Sequence, residues 1–320
     1  MGVKIMNLEQ IISKANSIAI SGHVRPDGDC VGSCLGLYNY ISSYYPDKEV
    51  SVYLEPISDK FKFLNKADEI INEANDEIIY DVYFILDCGS SDRIGFAKDM
   101  YEKAKLQCCI DHHVSNTGSG EYTYVVPTAS STSELVFGLL EEAKITKEIA
   151  ECLYLGIAHD TGVFQYSNVA PSTMRAAATL LETGIQASKI IEDTYYEKTY
   201  LQNQMLGKAF LESELHLDNR CISYGISWEE MKAYGATSND MEGVVSQMRN
   251  TQGVDVAVFM YALTSDEYKI SLRSNDHVDA SIIAVKFQGG GHKKAAGFSL
   301  SGTYEELLKV VLDEIALQYA

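Results

Sequence analysis

The first half of the chain alternates short apolar runs with segments of helical periodicity. The apolar runs lie in "NSIAISGH", "EVSVYLE", "DVYFILDCGS" and "LQCCIDHH", and the first of them is followed by the helical pattern "CVGSCLGLYNYISSYY". Strands that alternate with helices need crossover connections, which favour a mostly parallel sheet. The unbroken apolar run of "DVYFILDCGS" predicts a strand that is buried on both faces. We therefore predict an α/β fold with a mostly parallel sheet flanked by helices.

The hydrophobic pattern changes twice in the second half. Helical periodicity runs from "STSELVFGLLEEA" through "KEIAECLYLGIAHDTG" and "PSTMRAAATLLETG", and then strand-like segments begin with "RCISYGIS", "GVDVAVFMYAL" and "YKISLRS". A Gly-rich loop, the strand "AGFSL" and a terminal helix follow. At 320 residues the chain is long enough for two domains. We predict an N-terminal domain over residues 1–190, a helical linker over 191–217 and a smaller α+β domain over 218–320.

Histidines and aspartates follow three of the predicted strands and end one predicted helix. They are His23, Asp27, Asp29, Asp87, Asp111, His112, His113, His159 and Asp160. Open α/β sheets bind ligands beyond the carboxyl ends of their strands, so these side chains are expected to converge on one crevice.

Carboxylates that converge repel one another unless cations neutralise them. Mixed imidazole and carboxylate ligands suit manganese, iron, zinc or cobalt better than calcium. Two such ions bridged by one carboxylate can stabilise both the attacking and the leaving oxygen of an in-line phosphoryl displacement. Taken singly, Asp27 or Asp29 could instead cap the following helix, and Asp160 could begin a turn. Gly28, between the two aspartates, is expected to let the backbone turn so that they serve different ions.

Charge and composition limit the substrate and the compartment. The net charge of −19 provides no extended basic surface for a long polyanion, so a nucleic-acid substrate should be short or held locally. The seven cysteines form no C-x-x-C pair, which excludes a zinc ribbon and favours small buried thiols in a reducing cytosol. The N-terminus lacks the apolar core of a signal peptide, and no apolar run is long enough to span a membrane. We expect a cytoplasmic protein.

Five ordered motifs resemble those of the DHH phosphoesterases. The segments "GHVRPDGDCVGS", "ILDCGSSDRIG", "CIDHHVSN" and "GIAHDTGVF" are similar to the four motifs of that family. The later "FQGGGHKKAAGFSL" resembles the signature of the DHH-associated substrate-binding domain. Together the motifs cover essentially the whole chain, and the greatest similarity is to the nano-RNase and pAp phosphatase group.

The resemblance implies a role for each residue of the motifs. One ion would be held by His23, Asp27 and Asp87. The second ion would be held by the bridging Asp87 together with Asp29, His112 and Asp160. Asp111 would accept hydrogen bonds that orient the motif, without binding an ion itself. His113 would act on the scissile phosphate as the catalytic residue. His159 is not included among the ligands. By this resemblance, we expect the cofactor to be a pair of Mn²⁺ ions.

The substrate-binding residues are predicted from position and chemistry. Gly289, Gly290 and Gly291 would let backbone N–H groups approach a phosphate, with His292 as a further donor. Arg273 could pair a terminal phosphate bidentately, unless it forms a surface salt bridge. Arg93, Ser131 and Ser133 follow the first motifs closely enough to face the crevice. The substrate would lie between the two domains, which would select a phosphate at a fixed short distance from the scissile one.

These features predict a two-metal hydrolase that degrades oligoribonucleotides of about two to five units and dephosphorylates adenosine 3′,5′-bisphosphate. The alternative in the same class is a phosphodiesterase for pApA or cyclic di-AMP. A family II pyrophosphatase is disfavoured by the C-terminal signature, and a RecJ-type exonuclease would need further domains. A non-catalytic nucleotide sensor is disfavoured because every metal ligand is present. No membrane partner is expected, and a homodimer is compatible with this group.

Overall fold

Five parallel strands form the centre of the first of two units in the computed structural model, which describes residues 7–116 and 118–319. Their order across the sheet is β2-β1-β3-β4-β5. The strands are β1 (Ser17–Ser21), β2 (Glu49–Tyr53), β3 (Val82–Leu86), β4 (Gln107–Asp111) and β5 (Tyr122–Val125). The predicted α/β class with a parallel sheet is confirmed, and the apolar run that predicted a doubly buried strand is the central, fully buried β3.

Helices cover both faces of this sheet. The helices of the first unit are α1 (Leu8–Lys14), α2 (Gly28–Tyr44), α3 (Lys98–Lys103), α4 (Thr132–Leu139), α5 (Lys147–Asp160), α6 (Pro171–Glu182) and α7 (Ala187–Ile191). Successive side chains of β3 point to opposite faces of the sheet and belong to two different apolar cores. Phe84 packs with α2, α4 and α5 on one face, and Tyr83 packs with α3 and a cluster of tyrosines on the other.

Helices α2 and α5 touch through their backbones. A Cβ atom at Gly32 would lie 2.4 Å from the carbonyl oxygen of Cys152, and one at Gly156 would lie 2.7 Å from Oδ1 of Asp29. These distances are too short for any side chain larger than hydrogen, so glycine allows the close approach. The contact brings the first turn of α2 and the last turn of α5 to the edge of the sheet where the strands end.

The second unit, Lys198–Ala320, is built on a six-stranded mixed sheet in the order β10-β11-β9-β8-β7-β6. Its strands are β6 (Glu214–His216), β7 (Cys221–Ile226), β8 (Val256–Ala262), β9 (Glu267–Ser274), β10 (Gly290–His292) and β11 (Ala295–Ser301). Its helices are α8 (Tyr200–Glu212), α9 (Trp228–Tyr234), α10 (Val244–Arg249), α11 (Ala280–Lys286) and α12 (Tyr304–Ala316). The predicted α+β class is confirmed. The domain limits at 190 and 218 stay predictions, and β6 lies inside the segment predicted as a helical linker.

Two apolar clusters cover the second sheet. One contains Ile270, Phe298 and Val311 and lies under α11 and α12. The other contains Ile222, Phe259 and Met248 and lies under α8 to α10. Among the described residues, no helix combines the length and the apolar character needed to span a membrane.

Candidate metal centre

The turn after β1 aims the ring of His23 at two carboxylates. Its Nδ1 lies 2.9 Å from the carbonyl oxygen of Val24, which can only accept, so Nδ1 carries a proton. Nε2 lies 3.6 Å from Oδ2 of Asp27 and 3.5 Å from Oδ2 of Asp87. The backbone bond therefore fixes the ring with Nε2, the atom available to a metal, toward the carboxylates.

Asp27 caps α2 with one carboxylate oxygen and turns the other toward His23. Its Oδ1 accepts hydrogen bonds of 3.1 Å from the backbone N–H groups of Asp29 and Cys30, which caps α2. Its Oδ2 faces His23. Capping thus holds the carboxylate in place while leaving one oxygen for a ligand.

Gly28 has a different purpose from the one predicted. It does not adopt the left-handed conformation, so the turn does not depend on it. A Cβ atom there would lie 2.4 Å from the ring carbon Cγ of His159. Glycine is needed because the His159 ring packs directly against the start of α2.

Asp29 is buried beneath the site and held by the N-terminus of α4. Its two oxygens accept hydrogen bonds of 2.7 Å from the N–H of Thr132 and 2.9 Å from the N–H of Ser133. A carboxylate at a helix N-terminus is also favoured by the helix dipole.

Asp87 follows β3 in the left-handed conformation, with φ of 53°. Its Oδ1 accepts a 3.1 Å hydrogen bond from the Thr132 hydroxyl. Thr132 therefore contacts two of the predicted ligands, one through its backbone and one through its side chain. The sequence analysis missed this residue, although it lies between the two serines that were predicted to bind substrate.

His112 joins the remaining carboxylates. Its Nε2 lies 3.3 Å from Oδ2 of Asp160, 3.6 Å from Oδ1 of Asp87 and 3.9 Å from Oδ2 of Asp29. Three groups result, each with its donor atoms within 4.8 Å of one another. They are His23–Asp27–Asp87, Asp29–His112–Asp160 and Asp87–His112–His113. All the predicted metal ligands occur in these groups, and Asp87 belongs to two of them, but not to the group of Asp29, His112 and Asp160. The bridging role of Asp87 stays a prediction.

The electrostatics of this cluster indicate missing positive charge. Burial, together with the charges of Asp87 and Asp160, raises the pKa of Asp29 well above its ordinary value. Burial and the charges of Asp87 and Asp27 raise the pKa of Asp160 to about 6, against the opposing effect of His112. Burial alone would lower the pKa of His23, but its contacts with Asp27 and Asp87 raise it to about 12. Burial and mutual repulsion thus disfavour the ionised carboxylates, and bound divalent cations would offset this cost.

Asp111 lies behind the ligands, as predicted. It is fully buried, and it accepts hydrogen bonds from Nδ1 of His113 (2.7 Å), from the N–H of His112 (2.8 Å) and from Nδ2 of Asn116 (2.6 Å). Burial would raise its pKa, but the bonds from His113 and Asn116 lower it. The missed Asn116 is thus a second support of Asp111. It is the final residue of the "CIDHHVSN" motif, which is the signal that could have identified it.

His113 is half-buried above Asp111. The hydrogen bond to Asp111 raises the pKa of His113. The exposed Arg93 lies close enough for its charge to oppose that rise. The Arg93 guanidinium and the His113 imidazole, whose protonated form Asp111 favours, therefore stand beside the carboxylate cluster, where an anionic substrate would meet them.

Ser131 and Ser133 lie beneath the site rather than at its surface. Both are fully buried, and the Ser131 hydroxyl accepts a 3.0 Å hydrogen bond from the N–H of Glu134 as the N-cap of α4. This burial favours a supporting role, because it leaves no exposed hydroxyl for a substrate.

His159 is a structural residue, consistent with leaving it out of the ligand set. Its Nε2 donates to Oγ1 of Thr194 over 2.8 Å, since the Thr194 hydroxyl itself donates to Ile190. Burial lowers its pKa to about 4, so the ring is neutral.

In the second unit, the predicted Gly-rich loop is part of an edge strand. Gly290, Gly291 and His292 form β10, which pairs with β11. Gly289 and Gly291 are required by packing, since a Cβ atom at either would lie within 2.5 Å of a backbone oxygen of β11. Gly290 differs because its Cβ position is open. The predicted loop conformation is corrected to an exposed edge strand, and the phosphate-binding role of these residues stays a prediction.

Arg273 and His292 occupy one row across this edge. In the register, Arg273 of β9 is opposite Ala295 of β11, and Ala295 is opposite His292 of β10. Residues opposite one another in a sheet project from the same face. The structure therefore places Arg273 and His292 on the same face of the second sheet, where Nη1 of Arg273 also donates to the carbonyl of Leu272.

Comparison with known proteins identifies two domains, each of which lies within one unit of the structure. The model of the DHH family N-terminal domain matches residues 17–157, and that of the DHHA1 domain matches residues 223–317. The bifunctional oligoribonuclease and PAP phosphatase NrnA of Bacillus subtilis is 27% identical, covering 96% of both chains. The Thermus thermophilus protein of the same name is 28% identical, covering 93% of this chain and 90% of its own.

Among solved structures, an exopolyphosphatase-related protein from Bacteroides fragilis superimposes with a TM-score of 0.90 at 29% identity. The alignment covers 98% of this chain and 96% of that one. The resemblance expected from the motifs is confirmed, because the chain contains a DHH family domain followed by a DHHA1 domain.

Proposed function

We propose that this protein is a two-metal phosphoesterase that degrades very short oligoribonucleotides and dephosphorylates adenosine 3′,5′-bisphosphate. The observation that carries the proposal is the convergence of His23, Asp27, Asp29, Asp87, His112 and Asp160 into overlapping groups. The names of the relatives from Bacillus subtilis and Thermus thermophilus supply the substrate class.

We propose His23, Asp27 and Asp87 as ligands of one divalent ion, and Asp29, Asp87, His112 and Asp160 as ligands of the other. The mixed imidazole and carboxylate set suits Mn²⁺. Bound divalent ions supply the positive charge that activates water as a nucleophile and stabilises the transition state.

The chain's own residues position the substrate and move protons. His113, held by Asp111 and in its protonated form, would donate a hydrogen bond to the scissile phosphate and stabilise charge that develops during displacement. Arg93 attracts the same phosphate. Arg273, His292 and the backbone of Gly289–Gly291 bind a phosphate or nucleotide end away from the reacting bond. The strongly negative overall charge fits short substrates, which need no extended basic track.

The test is a substrate panel assayed with Mn²⁺. It contains di- to pentaribonucleotides, adenosine 3′,5′-bisphosphate, pApA and cyclic di-AMP. We expect turnover of the short oligoribonucleotides and the bisphosphate, and a loss of at least about 100-fold in the His112→Ala variant, which lacks a ligand. If the purified protein hydrolyses neither the dinucleotides nor the bisphosphate, the proposal is refuted. Faster turnover of pApA or cyclic di-AMP would assign the alternative substrate class.

A further inference from the structure

An exposed tyrosine ring lies against the backbone immediately after Asp160. A Cβ atom at Gly162 would lie 2.3–2.6 Å from three atoms of the Tyr166 ring. The ring therefore rests on this glycine, yet the residue remains 55% exposed. Gly162 is two residues from a predicted metal ligand, so the ring stands at the margin of the site.

The loop that carries this ring has an unusual backbone. Gly162, Val163 and Phe164 all adopt left-handed conformations, with φ of 56°, 58° and 63°. A β-branched residue such as Val163 is strongly disfavoured there. Strain of this kind persists only where the surroundings enforce it, and it is typical of functional sites.

Several hydrogen bonds and one ring contact hold the strained loop in place. The carbonyl of Thr161 accepts from the N–H groups of both Gln165 and Tyr166, and the Thr161 hydroxyl accepts from the N–H of Phe164. Phe164 in turn packs on Tyr154, with ring centroids 5.9 Å apart.

Two further contacts fix the end of the loop and the ring itself. Nδ2 of Asn168 donates to the carbonyls of Ser130 and Asp160, which closes the loop onto the predicted ligand. The Tyr166 hydroxyl lies 3.4 Å from that of Tyr195, whose ring packs edge-on against His159. The ring of Tyr166 is thus held in one orientation.

We propose that Tyr166 is a stacking platform for the nucleobase next to the scissile phosphate. This inference rests on the proposed function and specifies its substrate as one that carries a base. A rigid aromatic ring packed on one side and exposed elsewhere is what proteins use to bind unstacked bases. Stacking is tolerant of base identity, because every base has a π-face, so the platform selects nucleotides over other phosphoesters without selecting a sequence.

The chain offers a matched control for testing this proposal. Tyr196 is 54% exposed, nearly the same as Tyr166, and it belongs to the same aromatic group through Tyr195. Its ring is not the one that rests on Gly162. Removing Tyr196 therefore removes an equally exposed tyrosine ring without removing the platform.

The first measurement is steady-state hydrolysis of a dinucleotide with Mn²⁺. Tyr166→Ala should raise KM by about 10- to 100-fold with kcat changed less than about threefold, since stacking on an aromatic ring is lost. Tyr166→Phe, which retains the ring, should stay within about threefold of the wild-type KM, and Tyr196→Ala within about twofold. Equal KM values for Tyr166→Ala and Tyr196→Ala would overturn the proposal.

The second measurement needs no turnover. A dinucleotide analogue has a methylene group in place of the scissile oxygen and 2-aminopurine at each position in turn. Its fluorescence should be quenched on binding at one of the positions, and Tyr166→Ala should abolish that quenching. Quenching that is absent, or that is the same in both proteins, would overturn the platform. If the wild-type enzyme hydrolyses no nucleotide the proposed function fails, and the quenching still decides whether a base stacks on Tyr166.

Discussion

The two units place their predicted functional residues in opposite surroundings. In the first unit, Asp29 and Asp87 are almost fully buried and are held by donors from α4. In the second unit, Gly290, Gly291 and His292 lie on an exposed edge strand. The first surrounding holds the carboxylates in place and favours bound cations, whereas the second leaves backbone and side-chain groups open to solvent. The difference teaches that the proposed chemistry of the first unit and the proposed phosphate binding of the second can be tested by separate substitutions.

The largest effect is expected from Asp87→Asn, which alters the carboxylate shared between the ligand groups. Asparagine tolerates the left-handed backbone of this position, so the change removes charge without disturbing the turn. We expect kcat to fall by at least about 10³-fold, because the bridge between the two ions is lost. The measurements are kcat with Mn²⁺ and the number of ions bound per chain. Two ions bound with normal kcat would show that Asp87 does not bridge.

The Asp87→Asn variant also tests the comparison through the number of protons that the protein releases when a metal binds. Contacts with Asp27 and Asp87 raise the pKa of His23 to about 12, so its side chain is expected to hold an extra proton at pH 7 when no metal is bound. A ligating imidazole must be neutral, so Mn²⁺ binding at pH 7 should release about one proton per chain from His23. Titration calorimetry in buffers of different ionisation enthalpy measures this release. The Asp87→Asn protein should release fewer, and release near zero in the wild type would contradict a protonated His23.

A smaller effect is expected from Thr132→Val, which keeps the backbone bond to Asp29 and removes the hydroxyl bond to Asp87. Loss of a residue that orients a ligand typically costs about 10- to 100-fold in metal affinity or activity. Thr132→Ser keeps a hydroxyl and serves as the control. The effect is measured from the dependence of the rate on Mn²⁺ concentration. Equal Mn²⁺ affinity in the valine and serine variants would show that the Thr132 hydroxyl does not support metal binding.

The smallest effect is expected in the second unit, from Gly290→Ala. The Cβ position is open, so the melting temperature should be unchanged, whereas KM for a dinucleotide should rise about three- to tenfold if a backbone donor there contacts the substrate. Gly291→Ala is the contrast, since φ of 141° and a Cβ atom 2.4 Å from the Ala295 oxygen should lower stability directly. Unchanged KM in Gly290→Ala would leave the edge strand without a binding role.

Most of the fold could be predicted because its signals are local. The apolar runs of β1 to β4 and the periodicity of α2 and α5 are visible in consecutive residues, and the structure confirms these elements. Strand β10 could not be predicted, because glycines have little strand preference and pairing with β11 determines its conformation.

The site was predictable for the same reason and only to the same extent. Polar residues directly after strands indicated the ligands, whereas the support given to Asp29 by Thr132 comes from a helix about a hundred residues further along. The spacing of residues within a single motif cannot predict a hydrogen bond between segments so far apart in the sequence. The role of Gly28 was missed because the packing of His159 against it is also a long-range contact.

The backbone contact between α2 and α5 has a consequence for ion size. Asp29 lies in the first turn of α2, and Asp160 is the last residue of α5. Because the main chains already touch at Gly32 and Gly156, the two helices cannot move closer together. If both carboxylates hold the same ion, they can adjust to an ion of smaller radius only by rotation of the Asp29 and Asp160 side chains, and not by closer approach of the helices.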